Sequence, residues 1–155
     1  MKPIISKKLT LVAIAATLFS FTNFGGEGYE IFLNNKVVIQ QFGKSIDAVN
    51  SLRLNQSTAN GQLTVKYYHC GQVGRNRIIT IKDAQDKVLK EWRFSDAAGS
   101  IVSPVAMNCN VKDIVNLKKG NEITLKLYYS SNQLPSGRLL TNIVVENNNS
   151  VASNK

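Results

Sequence analysis

The sequence contains few of the residues that bind metals or carry out catalysis. It has one histidine, His69, and two cysteines, Cys70 and Cys109. A structural zinc site needs four cysteine or histidine ligands, and a blue-copper site needs two histidines, so the chain can supply neither. Residues 71–108 separate the cysteines, so there is no C-x-x-C pair and a thioredoxin-like redox enzyme is not expected.

Motifs of common hydrolases and nucleotide-binding proteins are also missing. The sequence has no G-x-S-x-G nucleophile elbow. The glycine-rich stretch NFGGEG (23–28) follows no strand and lacks the Lys-Ser/Thr ending of a phosphate-binding loop. The acidic residues are scattered, and the pattern marks no two as a facing pair for glycoside hydrolysis. We therefore expect a protein that is not an enzyme, with an unrecognised hydrolase as the alternative.

The N-terminal segment has the pattern of a secretory signal. Lysines at positions 2, 7 and 8 precede an apolar stretch, Leu9 to Phe21, that is shorter than the roughly 20 residues of a membrane-spanning helix. We expect a signal peptide over residues 1–22 and a periplasmic or extracellular protein without stable membrane insertion after cleavage. An uncleaved anchor and a buried N-terminal element are the alternatives.

The positive charge of the chain is dispersed. Removal of the three signal lysines lowers the formal net charge from +9 to +6. The remaining basic residues are scattered, and the densest spot is the pair Lys118-Lys119. Nucleic-acid-binding proteins cluster such charge on one face or helix. We therefore expect no nucleic-acid partner and only a weak attraction to anionic polymers of the envelope.

Alternation of apolar and polar residues predicts β-strands from residue 27 onward. YEIFLNNKVVIQQF places two apolar runs around Asn34 and Asn35, which tolerate the positive φ of a tight hairpin turn. A second hairpin is predicted around the turn Asp83–Asp86. Further strands are predicted at 51–54, 62–68, 122–129 and 139–146.

The strand spacing predicts the fold class. Only residues 111–117 favour a short helical turn, which Asn110 could cap and which Gly120 would follow. We expect an all-β fold, an antiparallel β-sandwich of immunoglobulin-like or jelly-roll-like type, as a single domain over residues 27–146. The polar residues 147–155 are expected to be a disordered tail.

The two cysteines have three candidate roles. An exported chain with two cysteines commonly forms a disulfide, and closing a loop of about 40 residues would contribute roughly 4 kcal/mol. We therefore predict a Cys70–Cys109 disulfide, with His69 as a structural residue beside it. In a regular strand His69 shares a face with Val65 and Tyr67, while Cys70 points to the other face. Buried thiols that are not joined are a second possibility.

The third role is a copper site, which would make the chain a periplasmic copper-binding protein. Met107 and Cys109 would share a face of an extended strand. Together with Cys70 and His69 they form a set of soft ligands that suits copper. Met107 can equally be core packing.

Two strands of similar sequence indicate a candidate binding surface. LTVKYY (63–68) and ITLKLYY (123–129) would place Lys66, Tyr68, Lys126 and Tyr128 on outward faces. On neighbouring strands they would form a basic aromatic platform for an envelope polysaccharide or a partner protein, because aromatic faces pack on sugar rings and suit protein contacts. The alternative is that these tyrosines only cover a sheet edge or lie under a loop.

Four stretches carry a resemblance: GEGYEIFLNNKVVIQQFG, VKYYHCG, ITIKDAQDKVLKEWRF and LYYSSNQLPSGRLL. With them the chain resembles small exported proteins of Bacteroidetes bacteria over most of residues 26–145. The resemblance implies a small extracytoplasmic domain and brings no reaction, cofactor or functional residue with it. We therefore expect an exported, non-catalytic binding or structural module of the cell envelope that needs no cofactor.

Overall fold

The computed structural model describes residues 26–96, 103–117 and 123–146, which form strands and short helical segments. The strands are β1 (Gly28–Leu33), β2 (Lys36–Phe42), β3 (Asn50–Leu54), β4 (Gln62–Tyr68), β5 (Arg77–Lys82), β6 (Val88–Phe94), β7 (Met107–Asn110), β8 (Ile123–Ser131) and β9 (Leu134–Val145). One α-helix, α1 (Val111–Val115), follows β7, and Gly43–Ser45 and Gln56–Thr58 form 3-10 turns. The predicted signal peptide, the predicted tail and Gly120 lie outside the described residues.

The strands form two sheets. The four-stranded sheet has the order β2-β1-β4-β7, and the five-stranded sheet has the order β3-β9-β8-β5-β6. The predicted all-β sandwich is confirmed. One pair, β3 with β9, is parallel, whereas every other pair is antiparallel. The chain crosses from one sheet to the other before β3, so no tight hairpin dictates the direction of this strand.

Both predicted hairpins are confirmed. Asn34 and Asn35 have φ angles of 52° and 65°, and a tight turn with positive φ at both central residues matches the twist of the strands β1 and β2. In the β5–β6 turn, the carboxylate of Asp83 accepts hydrogen bonds from the backbone N–H groups of Gln85 and Lys87, at 3.0 and 2.9 Å. These side-chain bonds fix the turn.

The inner faces of the two sheets pack through aromatic rings. Tyr67 of β4 stacks on Tyr129 of β8, with the ring centroids 4.2 Å apart. The hydroxyl of Tyr29 in β1 donates to the carbonyl of Leu140 in β9, at 2.6 Å. All of these residues are buried, so the outward faces of the two sheets lie on opposite sides of the sandwich.

The helix α1 lies at the predicted place, but its predicted cap is wrong. Asn110 precedes the helix in an extended conformation, and its side chain makes no capping hydrogen bond. The backbone N–H of Val111 donates instead to the carbonyl of Gly61, at 3.1 Å. Burial of Val111, Ile114 and Val115 holds the helix against the core. No helix within the described residues has the length and hydropathy to cross a membrane.

Candidate functional site

The predicted disulfide between Cys70 and Cys109 is wrong. Cys109 lies on the inner side of β7, where it is paired with Leu63 of β4. Cys70 lies beyond the other end of β4, in an exposed turn. Seven residues of extended chain from Leu63 to Cys70 span roughly 23 Å, whereas a disulfide needs Cα atoms about 4.4–6.8 Å apart. The strand register therefore keeps the two thiols apart.

The ligands of the copper alternative are not brought together either. Met107 and Cys109 share the inner face of β7, as predicted, but both are completely buried core residues. Burial raises the pKa of the Cys109 thiol to about 12, which disfavours the thiolate that binds metals. His69 lies on the inner side of the sandwich and Cys70 on the outside. Within the described residues, no group of three or more His, Cys, Asp or Glu side chains could hold a metal ion.

His69 belongs to a buried polar cluster at one end of the sandwich. Its Nε2 atom lies 2.9 Å from the hydroxyl of Tyr129 and 3.2 Å from Oγ of Ser131. Oγ of Ser131 also accepts the backbone N–H of Leu134, at 3.2 Å. A neutral His69 accepts the Tyr129 hydroxyl proton at Nε2, and the Ser131 hydroxyl donates to the Tyr129 oxygen. This confirms a buried inward-facing His69, although no disulfide lies beside it.

The segment after β4 covers this cluster. A Cβ atom at Gly74 would lie 2.8 Å from the Tyr129 hydroxyl and 3.0 Å from Nε2 of His69. Only glycine lets the backbone approach so closely. Ser131 is 5% exposed and His69 8% exposed, so the Ser131–His69 contact lacks the open surface that a catalytic pair needs. We interpret the cluster as structural.

The surroundings of His69 favour its neutral form. Burial lowers the pKa of His69 below its ordinary value of 6.5, and Glu27 opposes this effect while Arg138 adds to it. Glu27 in turn accepts the hydroxyl proton of Tyr67, at 2.5 Å, and lies 3.4 Å from the guanidinium of Arg138. The carboxylate of Glu27 therefore accepts a hydrogen bond from Tyr67 and forms an ion pair with Arg138. Burial among apolar and aromatic neighbours favours the uncharged imidazole of His69.

The four residues of the predicted binding surface do not form one platform. Lys66 and Tyr68 lie on the outer face of the four-stranded sheet, and Lys126 and Tyr128 lie on the outer face of the five-stranded sheet. The inner faces of these two strands pack on each other. The expectation that β4 and β8 are neighbours in one sheet is wrong, because similar alternation shows only which side chains face the core and not which strands pair.

The cations on the outer face of the five-stranded sheet are mostly engaged within the chain. Nζ of Lys126 lies 2.8 Å from the Asp86 carboxylate, and Nζ of Lys82 lies 4.2 Å from the ring centroid of Tyr128. Two more ion pairs are Arg53–Glu146 and Arg93–Glu91. A depression of about 410 Å³ on this face is lined by Asn76, Arg77, Ile78, Arg93, Phe94, Ser130, Ser131, Asn132 and Pro135. Its arginines already have partners in the chain.

On the four-stranded sheet, Tyr68 is fixed by its neighbours. Its hydroxyl donates to Oε2 of Glu30, at 2.8 Å, and the other carboxylate oxygen accepts the side-chain amide of Gln40, at 2.9 Å. Burial and the bond to Glu30 raise the pKa of Tyr68 to about 12. The ring packs on Phe42, with centroids 5.3 Å apart. Tyr68 is therefore held by Glu30 and Phe42.

Lys66 lines a second depression. Of the residues that line it, the sequence analysis identified only Lys66 as a candidate site residue. The depression has a volume of about 320 Å³ and is lined by Phe32, Asn35, Gln62, Thr64, Lys66, Ala106 and Asn108. Nζ of Lys66 lies 5.3 Å from the ring centroid of Phe32. Oγ1 of Thr64 donates to Oδ1 of Asn108, at 2.8 Å. Among the described residues, no carboxylate lines the depression. The sequence signal that could have revealed this site is the outward position of Phe32, which follows the buried Ile31 in β1.

The separation of the cysteines generates a testable prediction. In the folded protein we expect a thiol reagent to modify Cys70, and we expect Cys109 to react only after denaturation, because it is buried and its thiol pKa is raised. Intact mass spectrometry of the protein with and without reduction measures both points, with Cys70→Ser as the matched control for labelling. An intact mass that rises on reduction by a pair of hydrogens would contradict the structure.

The burial of His69 generates a second prediction. Its folded-state pKa lies below the ordinary value of 6.5, so between these two pKa values the unfolded chain binds a proton that the folded chain does not. The free energy of unfolding must therefore fall as the pH falls through about 6.5 towards the folded pKa. Urea unfolding of the wild type and of His69→Gln over about pH 8 to 5 measures this. His69 is the only histidine, so equal slopes for both proteins would show that it does not titrate in this way.

Comparison with models of known protein families finds no match, and comparison with curated proteins finds none either. Both depressions on the outer faces bring polar groups, an aromatic ring and a cation together. They differ in that the arginines of the first have partners in the chain, whereas Nζ of Lys66 lies over the ring of Phe32.

Proposed function

We propose that the protein is an exported, non-catalytic module of the cell envelope that binds a polysaccharide at the depression on the four-stranded sheet. We call this depression the Lys66 depression. The observation that carries the proposal is its lining, in which the ring of Phe32 lies among three carboxamides and no carboxylate. Export is inferred from the basic and apolar N-terminal segment.

The lining suits a sugar for chemical reasons. A sugar ring presents C–H groups, which pack on an aromatic surface, and a rim of hydroxyls that both donate and accept hydrogen bonds. Asn35, Gln62 and Asn108 each carry an amide with two donors and one acceptor oxygen. A volume of about 320 Å³ lies at the lower end of the roughly 300–1,000 Å³ of small-molecule pockets. The depression therefore fits one or two sugar units better than a flat protein partner.

The side chain of Asn108 is oriented in advance. Its Oδ1 atom accepts the Thr64 hydroxyl proton, so its amide nitrogen is directed away from Thr64 and keeps both donors for a ligand. Fixing a polar group before binding reduces the entropy lost on binding. The cross-strand pairing of Thr64 with Asn108 places the two side chains side by side.

The Lys66 depression also supports binding without catalysis. Glycoside hydrolysis requires two carboxyl groups on either side of the scissile bond. The residues that line the depression include neither an acidic side chain nor His69. A ligand bound there would contact neutral hydrogen-bonding groups, apolar groups and the ammonium of Lys66.

The proposal predicts the effect of removing the Phe32 ring. We expect Phe32→Ala to weaken binding of envelope polysaccharide about tenfold, because apolar contact with one ring contributes roughly 1.5 kcal/mol. Affinity electrophoresis against polysaccharides extracted from the cell envelope measures the change, and circular dichroism confirms the fold of each variant. The matched control is Tyr128→Ala, which removes an outward-facing aromatic ring from the opposite sheet.

Two results would contradict this proposal. One is unchanged polysaccharide binding in Phe32→Ala while the variant remains folded. The other is that the protein binds no polysaccharide and instead retains an envelope protein through the four-stranded sheet.

A further inference from the structure

Lys66 gives the Lys66 depression a charge, and this suggests the class of its ligand. We infer that the depression binds a sugar that carries an anionic group, such as a carboxylate, and that Lys66 recognises this group. The inference rests on the proposed function, because it specifies the ligand of the same site. Of the described residues that line the depression, Lys66 alone carries a charge.

The acidic residue opposite Lys66 in the sheet is held by other groups. The strand register places Glu30 of β1 directly opposite Lys66 of β4, where an ion pair would normally form. Instead, one carboxylate oxygen of Glu30 accepts the amide of Gln40 and the other accepts the hydroxyl of Tyr68. Throughout the described residues, no carboxylate lies within 4.0 Å of Nζ of Lys66.

The outward lysines on the two sides of the sandwich have different surroundings. Lys126, the equivalent outward lysine of β8, forms an ion pair with Asp86 and also donates to the Ala84 carbonyl. An incoming anion would have to compete with that carboxylate. At Lys66 the ammonium instead stands over the Phe32 ring at 5.3 Å, which is a weak interaction at a partly exposed site. The charge of Lys66 is thus available to an anionic ligand, whereas the charge of Lys126 is already balanced by Asp86.

The charge of Lys66 and the other lining groups together suit a sugar with an anionic substituent. An ammonium group is a compact point charge with three donors on a flexible stem, which suits a single anionic substituent of a sugar better than the closely spaced charges of a nucleic acid. The ring of Phe32 and the amide of Asn108 lie beside it and can contact the sugar itself. Carboxylate and sulfate substituents share this chemistry, and separate ligands can distinguish them.

The test compares ligands that share one sugar backbone and differ in the substituent. Isothermal titration calorimetry measures the dissociation constants of an oligogalacturonate, of the same oligosaccharide with its carboxylates reduced to neutral hydroxymethyl groups, and of that reduced oligosaccharide with the hydroxymethyl groups sulfated. We expect the wild type to bind at least one of the two anionic oligosaccharides about three- to tenfold more tightly than the neutral form, since a partly exposed charge-assisted contact is of this size. Which of the two binds more tightly identifies the anionic substituent.

Three variants locate the effect. Lys66→Met should bind the anionic and neutral forms equally. Asn108→Asp is isosteric and keeps the acceptor for Thr64, but it places a negative charge in the depression that offsets the charge of Lys66, so it should abolish the preference. Lys126→Met removes the same charge from the opposite face and should leave the preference unchanged, which controls for the net positive charge of the protein.

The outcomes separate this inference from the proposed function. Equal affinity of the wild type for the anionic and neutral oligosaccharides would overturn the inference and leave saccharide binding intact. A preference that survives in Lys66→Met, or that is lost equally in Lys126→Met, would overturn the assignment to Lys66. Failure to bind all three oligosaccharides, together with failure to bind the envelope polysaccharides, would reject the proposed function itself.

Discussion

The contact between Tyr67 and Tyr129 is the constraint on which the arrangement of the other side chains depends. It joins β4 of one sheet to β8 of the other with ring centroids 4.2 Å apart, and it fixes which alternate residues of these strands face inward. Because side chains in a strand alternate, His69 must then continue on the inner side and Lys66 must point to solvent. A shift of one residue would turn Lys66 of β4 or Lys126 of β8 into the core and expose apolar residues of the same strand.

Aromatic packing of this kind brings polar atoms into the interior, and they need partners. The hydroxyl of Tyr67 donates to Glu27, and the hydroxyl of Tyr129 lies at His69. Nη2 of Arg138 forms an ion pair with Glu27, and Nη1 lies 3.4 Å from the Asp47 carboxylate without the geometry of a hydrogen bond. Two carboxylates thus balance the charge of the guanidinium at this end of the sandwich.

The sequence pattern correctly predicted the features that depend on neighbouring residues, namely the direction of side chains in a strand and the position of a tight turn. Alternation placed His69 inside and Cys70 outside, and the pair Asn34-Asn35 predicted a turn because few other residues adopt positive φ without cost. Pairing between distant strands was not predictable in the same way. Two expectations about distant strands were wrong. The strand β4 pairs with β1 and β7 and not with β8, and the register of Leu63 with Cys109 keeps Cys109 away from Cys70. The parallel pairing of β3 with β9 and the Phe32–Asn108 lining of the Lys66 depression likewise depend on long-range contacts that leave no local signal.

Tyr68 points outward as the sequence predicted, but its contacts in the structure give it a different role. The sequence marked it as a stacking ring, whereas in the structure its hydroxyl and the Gln40 amide hold the two oxygens of Glu30. Glu30 stands opposite Lys66 in the register, so a carboxylate released by both partners would be the nearest counter-ion for the lysine. Tyr68 therefore acts on the Lys66 depression without lining it. By keeping an acidic neighbour occupied, it leaves a positive charge beside an aromatic ring and a set of amides, and that combination gives this face its chemical character.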